Sequence, residues 1–174
     1  MRAVPSALSM RYPVQLALLL LLLLATGVVP VAAQTDTANL NASINGLARL
    51  SLSTLTITFP DADPDAVPNV PASQGPITIT AKARTSVNGG VTLTVLANDD
   101  LRSGLKTIPA SAVTWTATGL GFSNGTLSAA AEQTIAAWTG SGVRTGTQLF
   151  FFRNLWSHPT GTYTLTMTFT LSAA

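Results

Sequence analysis

Cysteine is absent from this 174-residue chain, and histidine and glutamate each occur once, at His158 and Glu132. The absence of cysteine excludes disulfides, thiolate metal sites, iron–sulfur clusters and thiol nucleophiles. Acid–base catalysis and metal binding draw mainly on His, Glu and Asp side chains, which are scarce here. A catalytic histidine also needs a carboxylate and a nucleophile beside it. The composition therefore predicts a protein that is not an enzyme, with His158 as an exposed loop residue.

The first 33 residues have the three parts of a secretory signal peptide. Arg2 and Arg11 supply a positive start, a leucine-rich run follows at 16–24, and Val31 and Ala33 are small residues at the −3 and −1 positions of a cleavage site. The alternative is a membrane anchor that is not cleaved, because a span needs about 18 apolar residues. We predict export to the bacterial surface or the extracellular medium, with 34–174 as one domain.

Charged residues are scarce and, after the signal peptide, balanced. They make up 9% of the chain, and setting Arg2 and Arg11 aside leaves seven cations against seven acidic residues. Proteins that bind nucleic acid or an anionic membrane carry a basic surplus. The balance therefore predicts neither of these partners, and no membrane span is expected after signal cleavage.

Threonine alternates with apolar residues in five segments, a period of two that is typical of strands with one buried and one exposed face. The segments are 54–59, 77–84, 91–95, 113–118 and 162–171. Further strands are expected at 40–52, 133–139 and 147–153, although the alanine-rich stretch 127–138 could instead hold a short helix. Such strands pack as antiparallel sheets, face to face. We predict an all-β, immunoglobulin-like antiparallel β-sandwich of about seven to nine strands.

Turn residues separate these strands. Asn88-Gly89-Gly90 predicts a tight hairpin between two strands. Five prolines fall within 60–76, and because proline donates no N–H to a ladder, this stretch is expected to be a long connection between sheets.

Three aspartates at alternate positions, Asp61, Asp63 and Asp65, are the one candidate metal site. Calcium takes several oxygen ligands, and extracellular calcium loops often begin with such spacing. The glycine and the terminal acidic ligand of the EF-hand loop are missing, so a solvated acidic turn is the main alternative. We expect no obligatory cofactor, with calcium as the only candidate.

The three tryptophans have different expected roles. Trp115 alternates with buried positions and is expected in the core, whereas Trp138 and Trp156 fall near strand ends or in loops. Aromatic faces in such places can stack on sugar rings or anchor a protein partner. The run Phe150-Phe151-Phe152 must place at least one ring outside the main core, because consecutive strand residues point to opposite faces.

The C-terminal stretch 161–171 resembles the closing strand of two groups of exported bacterial β-sandwiches. In the WxL cell-wall-binding domain, a tyrosine is followed after five residues by Trp-x-Leu, and here Tyr163, Phe169 and Leu171 occupy those places. Pilin-like and spore-coat-U-like proteins also end in a Gly-x-Tyr strand. The second resemblance implies a fibre or coat subunit, and the first implies wall binding.

Alternation at the mature N-terminus extends this hypothesis. Ala38, Leu40, Ala42 and Ile44 alternate with polar residues, a pattern that would suit a strand donated to a neighbouring subunit. The apolar positions of the final strand would form the acceptor edge: Tyr163, Leu165, Met167, Phe169 and Leu171. We predict a surface structural protein that acts through protein–protein contacts or self-assembly. The alternative is a carbohydrate- or cell-wall-binding module that uses Trp138 and Trp156.

Overall fold

The computed structural model describes residues 37–174, so the predicted signal peptide and its cleavage point lie outside the described residues. The chain divides into two units, Met1–Ala42 and Ser43–Ala174, and every strand of the described residues belongs to the second unit. Apart from a three-residue 3-10 helix at Ala110–Ala112, this part of the chain has no helix. The alternative of a short helix within 127–138 is therefore wrong.

Eleven strands make up the described part of the chain. They are β1 (Leu47–Leu52), β2 (Asn69–Pro71), β3 (Ile77–Arg84), β4 (Gly90–Ala97), β5 (Leu101–Ser103), β6 (Lys106–Ile108), β7 (Val113–Thr118), β8 (Gly125–Thr126), β9 (Gln133–Thr139), β10 (Gly142–Arg153) and β11 (Met167–Ala173). The count exceeds the predicted seven to nine because several of these strands have only two or three residues.

The strands form two main sheets, and all of their pairings are antiparallel. Sheet A has the order β1-β3-β10-β7-β8, with β2 paired to the end of β10 beyond β3. Sheet B has the order β11-β4-β9, and β5 and β6 form a separate hairpin. Buried side chains of both sheets, such as Ile79 and Phe150 of sheet A and Leu93 of sheet B, belong to one hydrophobic core. The predicted all-β antiparallel sandwich is confirmed.

The alternation of residue types sets which face of each strand is buried. In β3 the residues from Ile77 to Arg84 are alternately buried and at least partly exposed, and β4 buries Val91, Leu93, Val95 and Ala97. Threonine suits the other, solvent-exposed face, because its side chain is β-branched, which favours a strand, and carries a polar hydroxyl. Around Asn88-Gly89-Gly90 the chain turns between β3 and β4, but these strands belong to different sheets and do not pair, so the predicted tight hairpin is wrong and the turn connects the two sheets.

Three of the predicted strands are shorter than expected or absent: the strand expected at 40–52 begins only at Leu47, the one at 54–59 is absent, and the one at 162–171 begins late. The stretch 54–59 is not a strand, and Leu55 is 91% exposed. The reason is that side chains compete with the backbone: Ser53 Oγ accepts the N–H of the distant Thr78, and Thr54 Oγ1 accepts the N–H of Thr56, so side chains take over bonds that a longer strand would make.

The C-terminal strand starts later than predicted, at Met167. Upstream of it, Thr164 exchanges two backbone hydrogen bonds with Arg102 of β5, while Thr166 bonds to Asn98. The segment therefore leaves the β5–β6 hairpin before it joins β4, and the predicted strand 162–171 is divided between two partners.

Candidate interaction surface

One side of the sandwich is open, because two edge strands meet there. β1 pairs only with β3, and β11 pairs only with β4, within residues 37–174. The two strands come into contact across the gap between the sheets. Along an edge strand every second N–H and C=O points away from the sheet, so both strands present unpaired backbone groups to a further strand.

Apolar side chains along this open side are only partly covered. Inward residues of central β4 are fully buried, whereas those of the edge strands are half-buried and pack against the rim of the core. These half-buried residues are Leu50 and Leu52 of β1 and Met167, Phe169 and Leu171 of β11. An added strand or side chain would remove their remaining surface from water, which is favourable.

A cavity of about 690 Å³ lies at one end of the open side. Its walls are the residues around the start of β1, the end of β3 and the end of β11. The last residue of the chain is held there, because Ala174 accepts a hydrogen bond from Thr85 Oγ1 and donates its N–H to Gly90. The cavity is therefore bounded by fixed main chain.

The proposed donor segment is not part of any strand. Residues 37–46 have no regular secondary structure, and Ala38, Leu40, Ala42 and Ile44 are all exposed. Leu40 is 96% exposed and Ile44 72%, which is unusual for large aliphatic side chains. Ile44 lies on the wall of the cavity. The proposed acceptor residues are all half-buried, but Tyr163 and Leu165 precede β11.

The acidic loop, residues 61–65 with Asp61, Asp63 and Asp65, is arranged around a turn. Asp63 Oδ1 accepts the N–H of Asp65 at 3.0 Å, and the carbonyl of Asp63 accepts the N–H groups of Ala66 and Val67. Among residues 37–174, no three His, Asp or Glu side chains form a group that could hold a metal ion. The structure thus does not bring Asp61, Asp63 and Asp65 together as a calcium site.

The two candidate stacking tryptophans differ in exposure. Trp156 is 72% exposed, and its Nε1 donates to Asp65 Oδ1 at 3.0 Å, which fixes the indole beside the acidic loop. Trp138 is half-buried against the core, with the guanidinium carbon of Arg144 5.8 Å from its ring centroid. Only Trp156 presents most of its ring to solvent.

No protein-family model and no curated protein matches the chain. Its function therefore has to be inferred from its own residues.

His158 is partly buried, not exposed as expected. Its ring centroid lies 5.5 Å from that of Phe152, and burial, reinforced by the charge of Arg153, lowers the pKa of the imidazole. Its Nδ1 has no hydrogen-bond partner in the described part of the chain, so no carboxylate orients the ring through this atom. The arrangement is that of a packed loop residue.

Ser123 lies in a second motif that is relevant to catalysis. Residues 121–125 read Gly-Phe-Ser-Asn-Gly, which has the Gly-x-Ser-x-Gly spacing of a hydrolase nucleophile turn. That motif presents the serine between a strand and a helix, whereas Ser123 precedes β8 in a loop between strands. Its Oγ donates to the carbonyls of Thr134 and Ile135. Ser123 thus anchors this loop to β9.

Proposed function

We propose that the protein is a secreted, non-enzymatic structural protein of the bacterial surface or extracellular space, which works through contacts with other protein subunits. The observation that carries this proposal is the open side of the sandwich, where β1 and β11 leave unpaired edges above half-buried apolar side chains. Exposed edges of this kind are templates for a strand from another chain, and natural monomers usually block them.

The proposed occupant of the open side is the N-terminal segment of a neighbouring copy. Residues 38–44 alternate apolar and polar side chains and span about 23 Å when extended. β11 has seven residues, so the lengths agree. Main-chain hydrogen bonds would supply affinity, and the alternate apolar side chains would set the register. The resemblance of 161–171 to pilin-like and spore-coat-U-like proteins supports the same mechanism.

Export fits this proposal. The N-terminal 33 residues have the pattern of a signal peptide. Within residues 37–174 no helix is long and apolar enough to cross a membrane. On the signal-peptide pattern alone, we propose that the protein works outside the cytoplasm, at the cell surface or beyond it.

Removing the donor segment tests the proposal. We expect the purified protein, expressed with its complete N-terminus so that any processing occurs, to form oligomers that grow with concentration. Deletion of 34–44 should abolish strand-mediated assembly, and Leu40→Ser/Ile44→Ser should weaken association by at least about a hundredfold, since each buried aliphatic side chain contributes roughly 1.5–3 kcal/mol. Size-exclusion chromatography with light scattering measures both.

The matched control is Leu55→Ser/Leu105→Ser, which alters two aliphatic side chains that are equally exposed but lie outside the donor segment. This control should assemble like the unmodified protein. An unchanged oligomer profile after deletion of 34–44 would show that the segment is not the donor.

A second candidate function is binding of carbohydrate or cell wall, and the specific observation that favours it is the exposed ring of Trp156. The indole is held by Asp65, and an oriented aromatic face beside carboxylate oxygens suits a sugar ring, whose C–H face stacks while its hydroxyls donate hydrogen bonds. Trp138, packed beneath Arg144, is less suited to this role.

Retention on insoluble peptidoglycan and on polysaccharide tests this candidate. If Trp156 forms the platform, Trp156→Ala should abolish retention and Trp156→Phe should keep part of it, because phenylalanine preserves an aromatic face. Equal retention of the alanine variant and the unmodified protein would exclude Trp156 as the binding residue.

A further inference from the structure

The charges of the sandwich are segregated between strands and loops. Sheet B has no charged residue on its strands, whereas the strands of sheet A carry only positive charge, at Arg49, Lys82, Arg84, Arg144 and Arg153. All acidic residues within 37–174 lie in loops. A chain whose signal-free charge is balanced therefore has a cationic face.

Three of these cations form one patch on the outer face of sheet A. Arg49 of β1 is paired directly with Lys82 of β3, and the next exposed position of β3 is Arg84. Val143 continues the row on the other side of Lys82, and Leu47 pairs with Arg84. We call these five exposed residues the cationic patch.

The cationic patch has no negative partner in the described residues. The one ion pair among the described residues joins Asp99, which precedes the β5–β6 hairpin, to Arg102 of β5. Like charges placed directly opposite on neighbouring strands, as Arg49 and Lys82 are, destabilise a sheet. A negative group from another molecule would relieve this repulsion, and Leu47 and Val143 would add apolar contact.

The acidic loop lies at the opposite end of sheet A. Asn154, which directly follows β10, donates a hydrogen bond from Nδ2 to the carbonyl of Ala62 at 2.8 Å. Val143, in the cationic patch, is at the other end of the same strand, about 36 Å away at 3.3 Å per residue. Asp61, Asp63 and Asp65 are exposed and have no ion pair within 37–174.

We propose that the cationic patch binds the acidic loop of a second copy of this chain. Three exposed cations at one end of sheet A then meet three exposed carboxylates at the other end of the next copy. Because the two surfaces differ, the contact is head-to-tail and can repeat without closing, which builds a filament. The proposal rests on the proposed self-assembly, but it uses a surface distinct from the open side.

Paired charge-reversal variants test this contact in the purified full chain. Lys82→Glu/Arg84→Glu removes the patch, and Asp63→Lys/Asp65→Lys removes the loop charge. Each should weaken association at least about tenfold, since close charge pairs across an interface carry specificity and affinity. An equimolar mixture of the two variants should recover assembly, because the acidic loop of one variant meets the intact cationic patch of the other and the two reversed surfaces also attract each other.

Two further measurements use the same chromatography. Association of the unmodified protein should weaken as NaCl rises, because the charges are exposed and screened. Lys106→Glu, a charge reversal on the β5–β6 hairpin outside the patch, should not change association, whereas Lys82→Glu alone should weaken it. All variants should keep the cooperative thermal unfolding of the unmodified protein, since the altered side chains are exposed.

The outcomes separate this proposal from the proposed function. If the unmodified protein is a monomer at every concentration and salt level, both fail. If assembly survives both charge reversals but is lost on deletion of 34–44, the head-to-tail contact is wrong and strand donation stands. Loss of assembly in each variant without its recovery in the mixture would also contradict the contact, and binding of the cationic patch to anionic polymers or vesicles would then be tested in its place.

Discussion

Replacing Trp115 by alanine is expected to lower the free energy of unfolding by about 3–5 kcal/mol, the range for large aromatic residues removed from a core. The side chain is only 2% exposed, and its ring packs 6.0 Å, centroid to centroid, from that of Phe150. Its Nε1 donates to the carbonyl of Ser123 at 2.9 Å. The ring also packs directly on Gly125, where a Cβ atom would come within 2.2 Å of it. Because Gly125 has no side chain, it cannot fill the cavity that Trp115→Ala would leave.

Urea unfolding followed by circular dichroism measures this effect. Trp115→Phe should lower the free energy of unfolding less than Trp115→Ala does, because it keeps an aromatic ring. Some stability should still be lost, because the carbonyl of Ser123 no longer has its donor. The matched control is Trp156→Ala, whose exposed ring should change stability by no more than about 0.5 kcal/mol. Similar losses in both alanine variants would contradict the placement of Trp115 in the core.

Replacing Gln148 by methionine is expected to stabilise the domain by about 1–3 kcal/mol, the cost of a buried polar group that is left unpaired. Gln148 is fully buried in the middle of β10, and neither its Nε2 nor its Oε1 has a hydrogen-bond partner within residues 37–174. Methionine has a similar volume and no amide, and its flexible side chain adapts to irregular gaps.

The same substitution at Gln74 is the control and should have the opposite sign. Gln74 Oε1 accepts the N–H of Thr58 at 2.9 Å, and Nε2 donates to Thr58 Oγ1 at 2.7 Å. Gln74→Met removes both bonds and should destabilise the protein by roughly 0.5–1.5 kcal/mol. A loss of stability in Gln148→Met would show that the buried amide is paired after all.

Strands that are paired with a neighbouring strand along their full length could be predicted from the sequence. The alternation at 77–84 and 113–118 matches β3 and β7, and 133–139 matches β9. In β3 and β7 the period of two, the β-branched threonines and the burial of one face all favour the same conformation, whereas β9 buries the consecutive residues Ile135 and Ala136. Local turn chemistry placed the turn at Asn88-Gly89-Gly90, but it could not show that β3 and β4 on either side belong to different sheets.

Where alternation failed as a guide, contacts from distant residues decided the outcome. Leu55 alternates as well as Leu93 does, yet Leu55 is exposed because Ser53 and Thr54 end the ladder with side-chain hydrogen bonds. Thr164 pairs with Arg102 instead of continuing β11 upstream. The alternation within one segment does not predict which other strand will pair with it.

The sequence by itself determined an all-β antiparallel fold without disulfides, because period-two patterning and residue propensity act within a single strand. Tertiary structure decided which edges stay open and which charges share a face. Arg49 and Lys82 are 33 positions apart and become neighbours only through the register of β1 and β3. The balanced total charge gave no sign of this patch, since net charge counts residues while binding depends on where the fold places them.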